Sequence, residues 1–250
     1  MILKAIILGI VQGFTEFLPI SSSGHCALLE QYFGITEPVV LATFLHFGTF
    51  LATLVYFLKP ISRIANGLVH GDRTSWSYAL YILIGTIPIV VFAVLFRTYI
   101  EAAFTKPLII ALFLGITGVV VLLTYTVRKG DNKVTFFSAL IIGIGQMFAT
   151  FPGISRSGMT ISAGIFAKVK TDNAFTFSFL LSLPAVFGAN LLELLSLPAI
   201  KDLGSIVIGV TCSFLCGLVA LTILRKMIAK RFHLFGIYCL VISVILLLVQ

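Results

Sequence analysis

The chain has 250 residues, of which 59% are hydrophobic and only 10% charged, against about 25% charged residues in an ordinary soluble domain. No polar stretch is long enough to build a soluble domain or a linker, so the composition predicts a single domain resident in a membrane. The net charge of +8 does not point to nucleic acid, because Lys and Arg fall in short patches between apolar runs, a topological pattern rather than a binding face. Cys26, Cys212, Cys216 and Cys239 form no Cys-x-x-Cys pair, and disulfide or zinc readings are set aside; Cys212 and Cys216, at i and i+4, read as apolar fillers.

The first apolar run, over residues 1–18, is not expected to be a cleaved signal peptide. It lacks an Ala-x-Ala-like site, and the same segment recurs in mid-chain. A shift of 134 positions lays Ala5 to His25 over Ala139 to Met159, with identities at Ala5, Ile7, Gly9, Ile10, Gln12, Phe14, Phe17, Ile20, Ser21, Ser23 and Gly24. An internal duplication follows, with one repeat over residues 1–133 and a second over 134–250. Each repeat opens with an apolar helix that stops at a proline and small-residue cluster, Pro19 to Gly24 and Pro152 to Gly158. Proline has no N–H and clashes with the preceding turn. A short helix follows each break, over residues 23–33 and 157–169, too short to span a bilayer that needs about 20 residues. Both units read as re-entrant helical hairpins, since non-helical backbone at membrane depth survives only when buried in protein or lining a wet cavity.

Three longer apolar runs follow each hairpin, over residues 39–58, 77–96 and 107–127, then 173–195, 204–224 and 233–249. The expected fold is therefore all-α and integral to the membrane, with six transmembrane helices and two re-entrant hairpins. Three crossings per repeat invert the second repeat, so that the two hairpin tips enter from opposite faces and meet near the midplane. The charges agree. Of 17 Lys and Arg residues, Lys59, Arg63, Arg73, Arg128, Lys129, Lys133, Lys168, Lys170, Arg225, Lys226, Lys230 and Arg231 fall on one side of this scheme. Lys4, Arg97, Lys106 and Lys201 fall on the other, and Arg156 lies in a hairpin. The positive-inside rule makes the first side cytoplasmic and places both termini outside. A chain whose hairpins are full spans is the competing arrangement, and it would put both tips on one side or scramble this bias.

Glu16 and Arg156 stand out as ionisable groups inside the hairpins, where a charge costs a few kcal/mol and marks a functional site by default. The bland alternative is a pair that only ties the tips together. Gln12 and Glu16 share a helix face, and Ser21, Ser22, Ser23, Gly24 and His25 follow them. A hydroxyl, a histidine and a carboxylate within ten residues supply the types needed for nucleophile, acid and base, although serines at a helix start also serve as N-caps. The second break carries Ser155, Arg156, Ser157 and Thr160 at a helix N-terminus, a combination that favours phosphate. In the overlay Ser22 matches Arg156 and His25 matches Met159, so one hairpin holds reactive groups and the other an anion binder. His46, inside a span, is a weaker candidate, with a bond to a neighbouring carbonyl as the competing reading; His70 and His233 read as loop and interface residues.

With these residues in place the chain resembles the bacitracin-resistance family of undecaprenyl-diphosphate phosphatases. The two family signatures stand here as Gln12 to Glu16 with Ser21 to His25, and as Pro152-Gly-Ile-Ser-Arg-Ser-Gly-Met-Thr160, and the similarity in pattern covers essentially the whole chain. The resemblance implies hydrolysis of undecaprenyl diphosphate to the monophosphate carrier lipid in the bacterial cytoplasmic membrane, aided by a divalent cation, Mg²⁺ or Ca²⁺, at a site opening to the outer face. It implies a catalytic group of Glu16, Ser22, His25 and Arg156, with Gln12, Ser21, Ser155, Ser157 and Thr160 around the substrate. Glu16 is also the expected metal ligand. Family members often carry an acid near the start of the first span, where this chain has Ala42, which leaves any such metal-binding role unfilled in sequence. Ser22 and His25 both remain as nucleophiles, and a homodimer is left open.

A transporter or flippase of an anionic prenyl lipid fits the same architecture but leaves the Ser, His, Glu and Arg set unexplained. The acid-phosphatase type of lipid phosphatase needs a His-x-x-x-Asp after the arginine; the next histidine is His233, and no Asp follows it.

Overall fold

The computed structural model describes residues 2–35, 38–128, 130–196 and 202–249. Lys129 and Lys201, set on opposite faces by the charge pattern, lie outside the described residues. Among the described residues the regular elements are helical, apart from an isolated bridge between Asn132 and Val169.

Helix α1 (Ile2–Phe17) ends at the Leu18-Pro19 turn, and α2 (Ser22–Tyr32) runs back beside it. Lys4, at the start of α1, donates its ammonium to the carbonyl of Phe33 at the end of α2, at 2.6 Å. Helices α3 (Pro38–Tyr56) and α4 (Leu58–Val69) follow, bent by 68° at Phe57. Then come α5 (Arg73–Leu95), α6 (Arg97–Phe104) and α7 (Pro107–Leu123). The second half begins with α8 (Phe136–Phe148) and α9 (Arg156–Phe166), again folded back on each other. Asn132, before α8, pairs through its backbone with Lys168 and Lys170, after α9, at 3.2 and 2.9 Å. In both halves the beginning of the first helix thus lies beside the end of the second. Helices α10 (Thr171–Ser196), α11 (Leu203–Met227) and α12 (His233–Val249) complete the chain.

By length and composition α5, α7 with its 3-10 extension to Thr126, α10 and α11 are able to cross a membrane, and the bent α3–α4 pair makes a fifth candidate. Helix α12, with 17 residues, is apolar but shorter. The chain is therefore a multi-pass helical protein, and the bounds of the expected runs shift by a few residues. Two helices replace segments read as loop. Helix α4 carries Lys59, Arg63 and Asn66, yet Ile61 and Ile64 recur at helical spacing and pack on the core, an amphipathic pattern too short to register as a span. Helix α6 is an eight-residue connector closed by an Arg97–Glu101 pair at 2.7 Å.

Apolar side chains gain little by leaving lipid for a protein interior, so close backbone approach at small residues holds such helices together. The packing is crosswise: α1 lies on α11, α8 on α5, and α7 on α12. A Cβ added to Gly9 would sit 2.5 Å from the Gly209 carbonyl oxygen, and one added to Gly143 would sit 2.4 Å from that of Gly85. Gly9 and Gly143 are partners in the 134-residue overlay. The largest buried cluster holds Phe17, Phe57, Phe175 and Phe179, with Phe179 5.7, 5.6 and 5.0 Å from the other three rings. It lies directly beyond the tip of α1.

Candidate active site

The two breaks face each other. An added Cβ on Gly24 would stand 3.4 Å from the Cα of Gly153, so the hairpin tips touch through glycines. In the first tip Ser21 takes φ 67°, a left-handed conformation that costs a non-glycine residue of order 1–3 kcal/mol. Local bonds hold it: the Ser21 carbonyl accepts from the His25 amide at 3.3 Å and from His25 Nδ1–H at 2.8 Å, while Ser21 Oγ caps α2 by accepting from the Gly24 amide at 3.4 Å. In the second tip Gly153 has φ 94°, and Thr117 of α7 clamps the turn. Thr117 Oγ1 donates to the Gly153 carbonyl and accepts from the Ser155 amide, both at 3.0 Å. Ser155 Oγ caps α9 through the Gly158 amide at 3.1 Å.

These turns bring Glu16, Ser22 and Arg156 together. Glu16 is buried. Its Oε1 accepts from the Arg156 guanidinium, and its Oε2 accepts from Ser22 Oγ at 2.5 Å and from Gln12 Nε2 at 3.2 Å. A serine hydroxyl on a carboxylate, beside a guanidinium, is an arrangement in which the hydroxyl can give up its proton while positive charge stands ready for an anion.

A chamber of about 260 Å³ opens beside this cluster. Its wall includes Glu16, Ser22, Ser155 and Arg156 from the tips, His46 from α3, and Asn190 and Glu193 from α10. The remaining expected site residues stand behind the wall. Gln12 is buried, with its nitrogen on Glu16 and His46 and its oxygen receiving Cys26 Sγ at 3.3 Å. Ser21 is a cap, Ser157 bonds Ser155 Oγ at 3.2 Å, and Thr160 bonds the Arg156 carbonyl at 2.7 Å and also Ser178. His25 is not part of the chamber wall, and its Nδ1–H turns back to the Ser21 carbonyl. Its Nε2 accepts from the Tyr238 hydroxyl at 2.9 Å, and the two rings stack.

Several chamber residues escape the sequence reading. Thr150, also in the wall, is the overlay partner of Glu16, so the duplication pointed to it. Glu193 is an acid inside an apolar run, the same signal that singles out Glu16; Thr43 donates to its Oε2 at 2.8 Å. Thr117 and Tyr238 carry no local signal. Among the described residues no three of His, Cys, Asp and Glu gather to cage a metal ion. Glu16 and Glu193 are the carboxylates of the chamber, a donor set suited to a hard cation that shares its ligands with a bound phosphate.

Comparison with known proteins identifies the family. The family described as bacitracin resistance protein BacA matches residues 5–245. A protein named undecaprenyl-diphosphatase from Methanococcus maripaludis strain C6 is 39% identical over 250 residues, covering 98% of this chain and 99% of its own. Proteins of the same name from Thermosipho africanus and Korarchaeum cryptofilum are 38% and 36% identical, with 96% and 98% of this chain covered and 97% and 98% of theirs. The match runs through both hairpins and the helices around them, and the chain belongs to the bacitracin resistance protein BacA family.

Proposed function

We propose that this protein is a membrane phosphatase that hydrolyses undecaprenyl diphosphate to undecaprenyl phosphate and inorganic phosphate, recycling the carrier lipid of cell-wall synthesis. The observation that carries the mechanism is the Ser22–Glu16–Arg156 cluster where the two tips touch. The names of the relatives supply the substrate. The chamber, at about 260 Å³, is smaller than the roughly 300–1,000 Å³ of sites that enclose a whole drug-sized ligand. It takes the diphosphate and leaves the prenyl chain in the bilayer.

In the first step Ser22 Oγ attacks the terminal phosphorus and its proton passes to Glu16 Oε2. The bond from that phosphorus to the bridging oxygen breaks, and undecaprenyl phosphate leaves with that oxygen and its electron pair. Arg156 is paired with Glu16 before the step; as Glu16 gains the proton its hold weakens, and the guanidinium charge becomes available to the phosphoryl oxygens. The N-termini of α2 and α9 add their positive ends from either side. The oxygen of a water then bonds to the phosphorus as the bond to Ser22 Oγ breaks; Oγ takes the proton from Glu16, and the protons of the water leave on inorganic phosphate. Glu16 and Glu193 would hold Mg²⁺ or Ca²⁺ together with diphosphate oxygens, and such an ion supplies charge neutralisation of the substrate. His25 and Tyr238 act from outside the chamber by fixing the backbone of the first tip.

The membrane arrangement that fits this chemistry has six spans, counting α3 and α12, and two re-entrant hairpins in inverted repeats over residues 1–133 and 134–250. Three observations support it: each hairpin closes on its own starting side, the packing of the halves is reciprocal, and Gly9 and Gly143 make equivalent contacts. The charge bias puts both termini outside and opens the site to the outer face of the cytoplasmic membrane.

The test is phosphate release from a long-chain prenyl diphosphate by purified protein in detergent with Mg²⁺ or Ca²⁺. Wild type turns over, while Glu16→Gln and Arg156→Ala each lose at least about a hundredfold, the scale of removing one charge-stabilising group. A folded, lipid-binding wild type that releases no phosphate contradicts the proposal.

A further inference from the structure

His46 stands on the α3 side of the chamber with 32% of its side chain accessible, and the mechanism so far gives it no task. Its Nδ1 lies 3.0 Å from Gln12 Nε2 and 3.6 Å from Glu16 Oε2. The first distance is that of a hydrogen bond and the second is not. The orientation of the Gln12 amide is fixed independently of His46. A carboxylate only accepts, so the atom 3.2 Å from Glu16 Oε2 must be the amide nitrogen, and the amide oxygen receives Cys26 Sγ on the other side. One N–H of Gln12 is thus spent on Glu16 and the second on His46. Since an amide nitrogen has no lone pair to offer, Nδ1 of His46 has to accept. A neutral imidazole that accepts at Nδ1 carries its proton at Nε2.

Gln12 therefore selects one tautomer, and Nε2–H is the polar group that His46 has left to offer. A diphosphate presents only acceptors to the walls around it. The chamber holds two carboxylates, Glu16 and Glu193, which oppose an anion, and its strongest donor, Arg156, is shared with Glu16. A further neutral donor from α3 adds hold on the substrate without adding charge.

We propose that His46 contacts the substrate, donating Nε2–H to a non-bridging oxygen of the diphosphate, and that Gln12 is a positioning residue that sets the tautomer. This role rests on the phosphatase reading above. It makes Gln12, expected from sequence to bind substrate, a group that acts through His46 and Glu16.

Three substitutions separate the donor from the acceptor function of the ring. A glutamine at position 46 extends an N–H to about the reach of Nε2; an asparagine places its amide near Nδ1, able to accept from Gln12 but short of the chamber; a leucine does neither. The readouts are KM and kcat for a long-chain prenyl diphosphate, inhibition by methylene diphosphonate, and the melting temperature in detergent. A hydrogen bond to a charged group is worth about 1.5–3 kcal/mol, or roughly 10- to 150-fold. His46→Leu and His46→Asn are expected to raise KM and the inhibition constant by about tenfold or more, with kcat within about threefold. His46→Gln is expected to recover at least half of that loss on a logarithmic scale. Unchanged KM and inhibition in His46→Leu overturn the proposal. So does recovery by Asn instead of Gln, which makes the acceptor bond to Gln12 the whole role, and so does a joint fall of kcat and melting temperature in all three variants. A wild type without turnover sinks the phosphatase reading and takes this role with it, whereas a wild type that turns over beside a flat mutant series sinks the role of His46 alone.

Discussion

The two hairpin tips share a backbone plan and divide the chemistry. Each breaks its first helix at a proline and small-residue cluster, starts its second helix with a capping serine, Ser21 or Ser155, and relies on a residue in left-handed conformation, Ser21 or Gly153. The differences lie in a few side chains. The first tip carries Glu16 and Ser22 where the second carries Thr150 and Arg156, so the carboxylate and hydroxyl come from one half and the guanidinium from the other. Two helix N-termini thus meet at one point, and differences at two overlay positions set a carboxylate and a hydroxyl on one tip against a guanidinium on the other. The supports also differ: α7 clamps the second tip through Thr117, while α12 holds the first through Tyr238 and His25.

The division is tested most severely by exchanging its central groups. Ser22→Ala removes the attacking oxygen and is expected to lower turnover by at least about a thousandfold, as loss of a nucleophile or its base does elsewhere, while binding of the prenyl diphosphate persists. Equal loss of binding would make Ser22 a holder like its overlay partner Arg156. Next in size, Arg156→Lys keeps the charge but not the planar fork, and turnover is expected to fall by about tenfold or more; wild-type rates would remove the guanidinium from the transition state. Thr117→Val unclamps the second tip alone. It is expected to destabilise the protein by about 1–3 kcal/mol, because a buried amide and carbonyl lose their partner, as read by thermal unfolding in detergent. Tyr238→Phe, which removes one hydroxyl from the wall of the first tip, is expected to change turnover by less than about tenfold; a collapse to the Ser22→Ala level would bring His25 into the chemistry.

The smallest effect compares the two halves far from the site. Asp72 caps α5 through the Thr74 and Ser75 amides and Ser75 Oγ, and Asp202 caps α11 through the Ser205 amide and Oγ. These bonds hold both carboxyls below the usual carboxylate range, the serine side-chain bond contributing most. A depressed folded pKa stabilises above the unfolded pKa and is lost as pH falls through the folded one. Asp72→Ala and Asp202→Ala are each expected to lower the melting temperature slightly at neutral pH, with the difference from wild type fading in acid. A difference that grows in acid would contradict the capping role.

Much of the candidate site was legible because a charge at membrane depth is costly and therefore conspicuous. Glu16 and Arg156 announce themselves on that ground, and the duplication says that their segments occupy equivalent places. Glu193 obeys the same rule, but it lies inside a run that reads as an ordinary span, so the signal is easy to pass over. Thr117 and Tyr238 are out of reach of sequence patterns. A threonine or tyrosine in an apolar helix is unremarkable until folding puts it against Ser155, 38 residues away, or His25, 213 residues away. His25 sits three residues from Ser22 in the motif, and the structure gives its two ring nitrogens to the Ser21 carbonyl and the Tyr238 hydroxyl instead. Helix α4 hides because Pro60 and the charged residues resemble a loop, and only Ile61 and Ile64 on the core reveal its apolar face.

Attack of Ser22 on the terminal phosphorus with Glu16 as its base leaves a covalent phosphoserine that can be trapped. Purified protein is mixed briefly with a prenyl diphosphate labelled in its terminal phosphate, quenched, and the labelled peptide mapped. Acid-stable phosphoserine is expected at Ser22, absent in Ser22→Ala. Label on His25, or turnover with no covalent phosphate on the protein at any quench time, would contradict it.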